Sequence, residues 1–410
     1  MKEKRTGKKD RKLLWGTIII SMILSLMVFY VLYNANNKYM TREEKAIHGI
    51  LYADGSYDSL PVYYLSREWE YYPDVLLTPG DDLEKYYFRY LSIGEYGGME
   101  LDDRNGNPYG SGTYRLRIML PSEEHTYGLY LPEIFSAYNL YVDGKLIEQV
   151  GNPDPDHYEE RIQHRMFTFK GHTSVEIMIA VTDKDSASPG IQYVPAFGNP
   201  LKVNTVRGIP VFLNSSVFTL VLLVLIFSVW AFFRTRSRAN ALFAGVCVCV
   251  LGYTCYPLLH TYLALRVQPW FSLEMLFYYL TFPAMLLLEH EITGRKYKWV
   301  WWLVGFTAAA GIGATVAGIF AGGMETAALF YGVSAVTEVL KWFTSICLVV
   351  IAFFYTEGIR GLPLLAGTVL YASSLAADRI WPLYDPIIGG WFPEWGGTIL
   401  AGVFGVILWR

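Results

Sequence analysis

Residues 211–233 read VFLNSSVFTLVLLVLIFSVWAFF, 23 positions without one charged side chain. A helix that crosses a bilayer needs about 20 mostly apolar residues. Only a helix or a closed barrel satisfies its backbone there, so this stretch reads as a membrane-spanning helix. Working outward, further apolar runs follow at 241–264, 271–288, 299–320, 327–355, 361–377 and 390–409, giving seven spans in this half of the chain. Upstream, Leu13–Leu32 forms another, behind the basic run Lys8-Lys9-Asp10-Arg11-Lys12. Its length exceeds the apolar core of a secretory leader, and Tyr33-Asn34-Ala35-Asn36 is a poor cleavage site. An uncleaved anchor is therefore expected.

The basic residues of the loops set a direction. With the N-terminus in the cytosol, Arg234, Arg236, Arg238, Arg295, Lys296, Lys298, Arg360 and Arg410 fall inside, while the opposite loops hold Arg266 and Arg379. That is the positive-inside bias, and Trp270, Trp381, Trp391 and Trp395 sit near the outer ends as an interfacial belt would. The last run is short. From Trp395 to Trp409 a helix rises only ~22 Å, against a hydrocarbon core of about 30 Å. A natural chain continuing past Arg410 is expected in preference to a half-embedded final helix.

Between Asn34 and Val206 the composition changes. This segment holds 26 Asp/Glu and 15 Lys/Arg, whereas the first 33 residues hold seven Lys/Arg and two acids. An acidic domain excludes nucleic acid as its natural partner, since that needs a basic face. The four cysteines, Cys247, Cys249, Cys255 and Cys347, all lie in apolar runs, so the polar domain has no internal disulfide. Its strands are legible from period-two alternation. In Tyr114–Leu120 the even-numbered residues share a face, and in Val175–Val181 the odd-numbered ones do. Tyr127–Leu131 and Asn139–Val142 look similar, and the latter enters the hairpin turn Asp143-Gly144 before Lys145-Leu146-Ile147. Short strands separated by Pro- and Gly-rich connectors such as Gly151-Asn152-Pro153-Asp154-Pro155 imply a sandwich or jelly roll.

Three motifs make this specific. They are Gly112-Thr113-Tyr114-Arg115-Leu116-Arg117 with Leu120-Pro121, Ser136–Ile147 with Gly151, and Phe197-Gly198-Asn199-Pro200. Lying ahead of seven spans, they resemble the bacterial seven-transmembrane receptors with diverse intracellular signalling modules, over roughly Leu60 to the end. The resemblance implies an all-β jelly roll related to the sugar-binding domains of β-galactosidase-type enzymes. It also implies a carbohydrate or small-molecule ligand, and helices that signal to a cytoplasmic effector. The N-terminal anchor departs from the family, where a cleaved leader is usual, and no effector module lies before Arg410. Three parts are expected: a basic tail and anchor (1–33), an extracytoplasmic jelly-roll ligand-binding domain (34–206) and a seven-helix transmembrane sensor bundle (207–410).

Catalytic motifs are lacking: no His-Glu-x-x-His, phosphate loop, Gly-x-Ser-x-Gly or paired-Cys metal site occurs. The chain is read as a receptor without enzymatic activity or cofactor. His157 and His164 are the pair weighed for a metal, and none is assigned. Asp102-Asp103-Arg104-Asn105-Gly106-Asn107 has calcium-type oxygen spacing, but Pro108 stands where such a loop needs glycine, so it reads as a turn. Candidate sugar platforms are Trp69, Tyr71, Tyr138, Tyr141 and Tyr193, with Arg115, Arg117 and Glu176 as hydrogen-bonding partners. Within the spans, Glu338 and Lys341 stand three apart and can meet on a helix face. Charges at membrane depth are functional candidates by default, so this pair is expected to couple the two sides. Asp378 and Arg379, near the outer surface, complete the coupling set. Beyond Glu338 and Lys341 the spans are read as holding few polar groups. Rival readings are a membrane transporter or enzyme with a stabilising outer domain, and a non-catalytic subunit.

Overall fold

The computed structural model describes residues 8–94, 99, 109–121, 123–184, 189–294, 297–320, 324–356 and 361–409. It opens with helix α1 (Lys8–Ala35) and continues into eleven strands. These are β1 (Ile50–Tyr52), β2 (Tyr63–Tyr64), β3 (Trp69–Pro73), β4 (Arg89–Leu91), β5 (Gly110–Met119), β6 (His125–Leu131), β7 (Ala137–Val142), β8 (Lys145–Val150), β9 (Arg165–Gly171), β10 (Ser174–Asp183) and β11 (Ala196–Gly198). One sheet runs β4-β3-β5-β10-β7-β8, with β1 also pairing with β5, and a second runs β2-β11-β6-β9. All pairings are antiparallel except β1 with β5.

The alternation places the core between the sheets. Tyr114, Leu116 and Ile118 of β5 point inward, as do Val175, Ile177, Ile179 and Val181 of β10, against Tyr127, Leu129 and Leu131 of β6. Met178, on the other face of β10, is also buried, because Tyr72, Leu77 and flanking apolar residues cover that side. The turn between β7 and β8 has Asp143 and Gly144 both at positive φ (45° and 75°), the geometry that favours Asp-Gly in a two-residue hairpin. The Asp102–Asn107 turn lies outside the described residues.

Seven further helices follow: α2 (Pro200–Thr235), α3 (Arg238–Tyr262), α4 (Trp270–Thr293), α5 (Lys298–Ile319), α6 (Met324–Tyr355), α7 (Leu362–Ile380) and α8 (Phe392–Leu408). Among the described residues, six helices are long and apolar enough to cross a membrane: α1 to α6. α7 is not counted among them, and α8, with 17 residues, is a shorter apolar helix. Both nevertheless pack into the bundle, α7 against α1, α6 and α8. A Cβ at Gly396 of α8 would collide with Ser374 of α7, so those two helices touch through a glycine.

Sandwich and bundle are joined without a linker. β11 ends at Gly198, Asn199 caps α2 by accepting a hydrogen bond from Leu201 N (3.0 Å), and Pro200 starts the helix. Val203 in this first turn is fully buried within the sandwich core. α2 thus begins inside the sandwich, at Pro200, whereas the sequence places the boundary at 206. On the other side, Lys38 beyond α1 forms an ion pair with Asp385 in the α7–α8 loop (2.9 Å). The second oxygen of Asp385 accepts from Val194 N of the sandwich (3.1 Å).

Candidate functional site

Where sandwich meets bundle there is a cavity of about 610 Å³. The sandwich contributes Tyr130, Glu133, His164 and Tyr193; the connecting segments contribute Lys38, Asp385 and Trp391. α2 supplies Arg207, Pro210 and Asn214, and α3, α4 and α8 supply Tyr253, Glu274, Tyr278 and Glu394. Deeper positions are apolar, including Phe243, Val246, Val406 and Trp409. The space exists because α2 and α8 pack against α3 and α7 respectively but scarcely against each other.

Local structure explains why the polar groups converge. β6 and β9 are paired as far as Leu131 opposite Arg165. Glu133 and His164 lie just beyond that last pair, at the end of the sandwich nearest the bundle. The adjoining Ile162 exchanges two backbone hydrogen bonds with Leu265 after α3 (2.8 and 3.1 Å), and His164 N donates to His260 O (3.3 Å). His260, in the last turn of α3, is thereby brought to Glu133. The Glu133 carboxylate lies 3.1 Å from His164 Nε2 and 3.5 Å from His260 Nε2. Burial opposes its charge, but His260, His164 and Lys38 outweigh that and hold the carboxyl down at about 2. Tyr193 is pushed well up by burial and by the Glu133 and Asp385 carboxylates, so it stands protonated as a donor. Further in, Tyr253 donates to Glu394 (2.5 Å), whose other oxygen accepts from Trp391 N (2.9 Å).

The eight aromatic and charged residues expected to bind ligand do not assemble into one site. Trp69, Tyr71 and Tyr138 are buried in the sandwich core, at 0%, 0% and 1% exposure, which corrects their reading as stacking platforms. Trp69 Nε1 donates to Leu65 O and Tyr71 donates to Met99 O, so their polar ends are also spent internally. Arg115 is enclosed by carboxylates, bonding Glu70 (2.7 Å) and Glu176 (2.8 Å). Arg117 and Tyr141 stand with Glu176 on the outer face of the larger sheet, Arg117 being exposed. Tyr193 alone of the eight lines the cavity.

Of the coupling set, Lys341 and Glu338 meet at 2.5 Å on α6. Lys341 is buried and points at Tyr278, 3.5 Å from its hydroxyl. Asp378 lies within electrostatic reach of both, while Arg379 is exposed. Three acids were overlooked in the sequence: Glu274 and Glu394 in the cavity, and Glu289, fully buried in α4 with no hydrogen-bond partner among the described residues. That corrects the expectation of spans poor in polar groups. The signal available was their position inside or abutting apolar runs. His157 does not join His164; it pairs with Asp154 on the surface (2.9 Å).

Neither a scan against protein-family models nor a search of curated proteins finds a match. Among solved structures, the chain is similar to a GH2 β-galacturonidase from Eisenbergiella tayi bound to galacturonate (12% identity, TM-score 0.25, covering 34% of this chain and 24% of that one). It is also similar to a β-glucuronidase from Faecalibacterium prausnitzii (11% identity, TM-score 0.24, covering 34% and 32%). A third similar structure is a β-glucuronidase from an uncultured Clostridium (13% identity, TM-score 0.25, covering 34% and 29%). The chain spans less than a third of the length of each of these enzymes.

Proposed function

We propose that this chain is a membrane signal receptor. Its acidic sandwich is a jelly roll outside the cell, its N- and C-terminal ends face the cytosol, and α2 to α8 form a seven-helix bundle of the kind found in receptors with intracellular signalling modules. The observation that carries the reading is the shared cavity. A ligand there touches both halves at once, and α2, one of its walls, starts within the sandwich core. Its lining carries Glu133, Glu274, Glu394 and Asp385 together with Lys38 and Arg207, and Tyr193 and Trp391 add aromatic surface. Such a lining suits a small molecule rich in hydroxyl or cationic donors at one end, a carbohydrate among them. A ligand shifts a conformational equilibrium only through unequal affinity for the two states. A cleft between two helices that scarcely touch supplies that inequality, since closing it changes every contact. Tyr278 lines the cavity and also meets Lys341, so the Glu338–Lys341 pair lies one residue away from bound ligand. The effector acts on the cytosolic side, in a further module or a partner protein.

Glu274 and Glu394 favour one rival, a cation-coupled transporter, because buried acids near apolar spans also mark ion pathways. The test separates the two. The full chain in detergent is screened by thermal unfolding against sugars and small polar metabolites, beside Gly402→Phe, which fills open space in the cavity wall. A receptor gives a midpoint rise with one chemical class that Gly402→Phe loses, and no uptake of that compound into proteoliposomes. Concentrative uptake that depends on Glu274 would replace the receptor reading with the transporter.

A further inference from the structure

Glu133, His164 and His260 each present one ligand atom, and the three atoms all lie within 4.8 Å of one another. They come from three separate segments: the end of β6, the start of β9 and the last turn of α3. We infer that these residues form a binding site for a late first-row divalent cation, zinc by ligand type, that bridges the outer domain and the helix bundle. Glu133 and His164 also line the cavity of the proposed receptor site, but metal binding is tested without any signal ligand.

The spacing is that of a coordination shell. With bonds of about 2.0–2.2 Å to imidazole nitrogen and carboxylate oxygen, a tetrahedral zinc holds its ligand atoms about 3.4 Å apart. Here the carboxylate oxygen stands 3.1 Å from one imidazole and 3.5 Å from the other. The two rings are parallel within 6°, with centroids 5.1 Å apart, so both offer their Nε2 edges to the same carboxylate. Two imidazoles and one carboxylate suit zinc and its neighbours, whereas calcium and magnesium take oxygen ligands.

The support behind the ligands fits as well. His164 Nδ1 is 2.6 Å from the Tyr130 hydroxyl. With Nδ1–H donating to that oxygen, the Nε2 lone pair is left for a metal, the orientation that ligating histidines take from a partner on the other nitrogen. His260 is 1% exposed, edge-on to Tyr256 at 4.7 Å, and its Nδ1 has no hydrogen-bond partner among the described residues. An imidazole this deeply buried, with one nitrogen unsatisfied, is costly if its other nitrogen makes only a long contact. A metal bond at Nε2 would satisfy that nitrogen, which among the described residues has only the 3.5 Å approach of the Glu133 carboxylate. The backbone bonds between Ile162 and Leu265, and from His164 to His260, fix the two halves independently of the side chains. Glu133 and His164 line the cavity, so the fourth coordination position opens towards it. Three protein ligands with one open position distinguish an exchangeable site from a closed structural one.

The test uses the untagged full chain in detergent, stripped with chelator and titrated with zinc, calcium and cobalt. Bound metal is counted after gel filtration. We expect one zinc per chain and no calcium. Cobalt should give the intense visible bands of four-coordinate nitrogen and oxygen ligation. His260→Gln and Glu133→Gln should weaken zinc by more than about 100-fold, beyond what loss of a supporting hydrogen bond costs. His157→Gln should bind as the parent does. Absence of stoichiometric zinc from the parent protein, or cobalt bands typical of six-coordination, overturns the site even if the ligand variants misfold. So does undiminished zinc affinity in folded His260→Gln.

Discussion

Arg115 sits on the outer face of β5, yet its side chain is only 11% exposed because Glu70 on β3 and Glu176 on β10 close over it. Register produces this: on β3 Glu70 stands directly opposite Arg115, and on β10 Glu176 stands opposite Arg117, diagonal to Arg115 on the same face. Removing one partner from a buried ion cluster typically costs 3–5 kcal/mol, since the others stay desolvated and uncompensated. Arg115→Ala should therefore destabilise the chain by about 3 kcal/mol. Arg117→Ala, two residues along on the same face and 46% exposed, should cost less than about 0.5 kcal/mol. Thermal unfolding in detergent compares them, and equal losses would mean that the cluster is not the reason Arg115 is retained. The same strands show what a single sequence conveys at this scale. Alternation places Tyr114 opposite in direction to Arg115, but it does not say which aromatics lie inside. Trp69 and Tyr71 share a face on β3, and only the second sheet reveals that it is the core face. The grouping of Glu133, His164 and His260 is not legible for a different reason, and His164 is weighed in the sequence only with the wrong partner, His157. Glu133 and His164 become neighbours through strand pairing, and His260 joins them only through tertiary contact, so no spacing in the chain announces the group.

At the level of elements, all the apolar runs became helices close to their expected bounds, because a span carries its signal locally. The departures are instructive. α2 starts well before its apolar run, at the cap Asn199, since its first turn belongs to the sandwich. α7 falls short of the apolar length of α1 to α6, and its Thr368, Ser373 and Ser374 are buried against neighbouring helices. α1, expected as an anchor, is long and apolar enough to cross a membrane and packs against α7 and the residues that follow it. Phe29 meets Phe392 at 5.3 Å, Tyr33 stacks on Trp381, and Asn36 bonds Tyr384 (3.0 Å). Lys38 and Asp385 complete this contact with side chains 9% and 8% exposed. Lys38→Met leaves Asp385 buried without its cation and should cost about 3 kcal/mol. Asp385→Asn removes the charge but keeps an acceptor for Val194 N, so in combination the two changes should cost clearly less than their sum. A double-mutant cycle read by thermal unfolding measures that coupling. Strict additivity would show that Asp385 holds the sandwich through Val194 alone, with no help from α1.

Across the whole molecule, charge is sorted by segment, with 26 Asp/Glu against 15 Lys/Arg between Asn34 and Val206. The acidic sandwich stands at one end of α2, Arg234, Arg236 and Arg238 stand at the other, and the helix between them is long and apolar enough to cross a membrane. The two faces of the bundle are therefore distinguishable by chemistry alone, provided the spans are crossed in order. The sandwich turn at Lys145 is exposed, and Ser237 lies in the α2–α3 turn at the opposite end of α2 from the sandwich. The natural cysteines are buried or half-buried within α3 and α6, so replacing all four leaves both turns untouched. In that background, Lys145→Cys should react in intact cells with a maleimide that cannot cross membranes, whereas Ser237→Cys should react only after the cells are opened. Labelling of both positions from outside would break the assignment of α2 as a span. The reverse pattern would place the sandwich, the junction cavity and the Glu133–His164–His260 group in the cytosol, where an external ligand could not reach them.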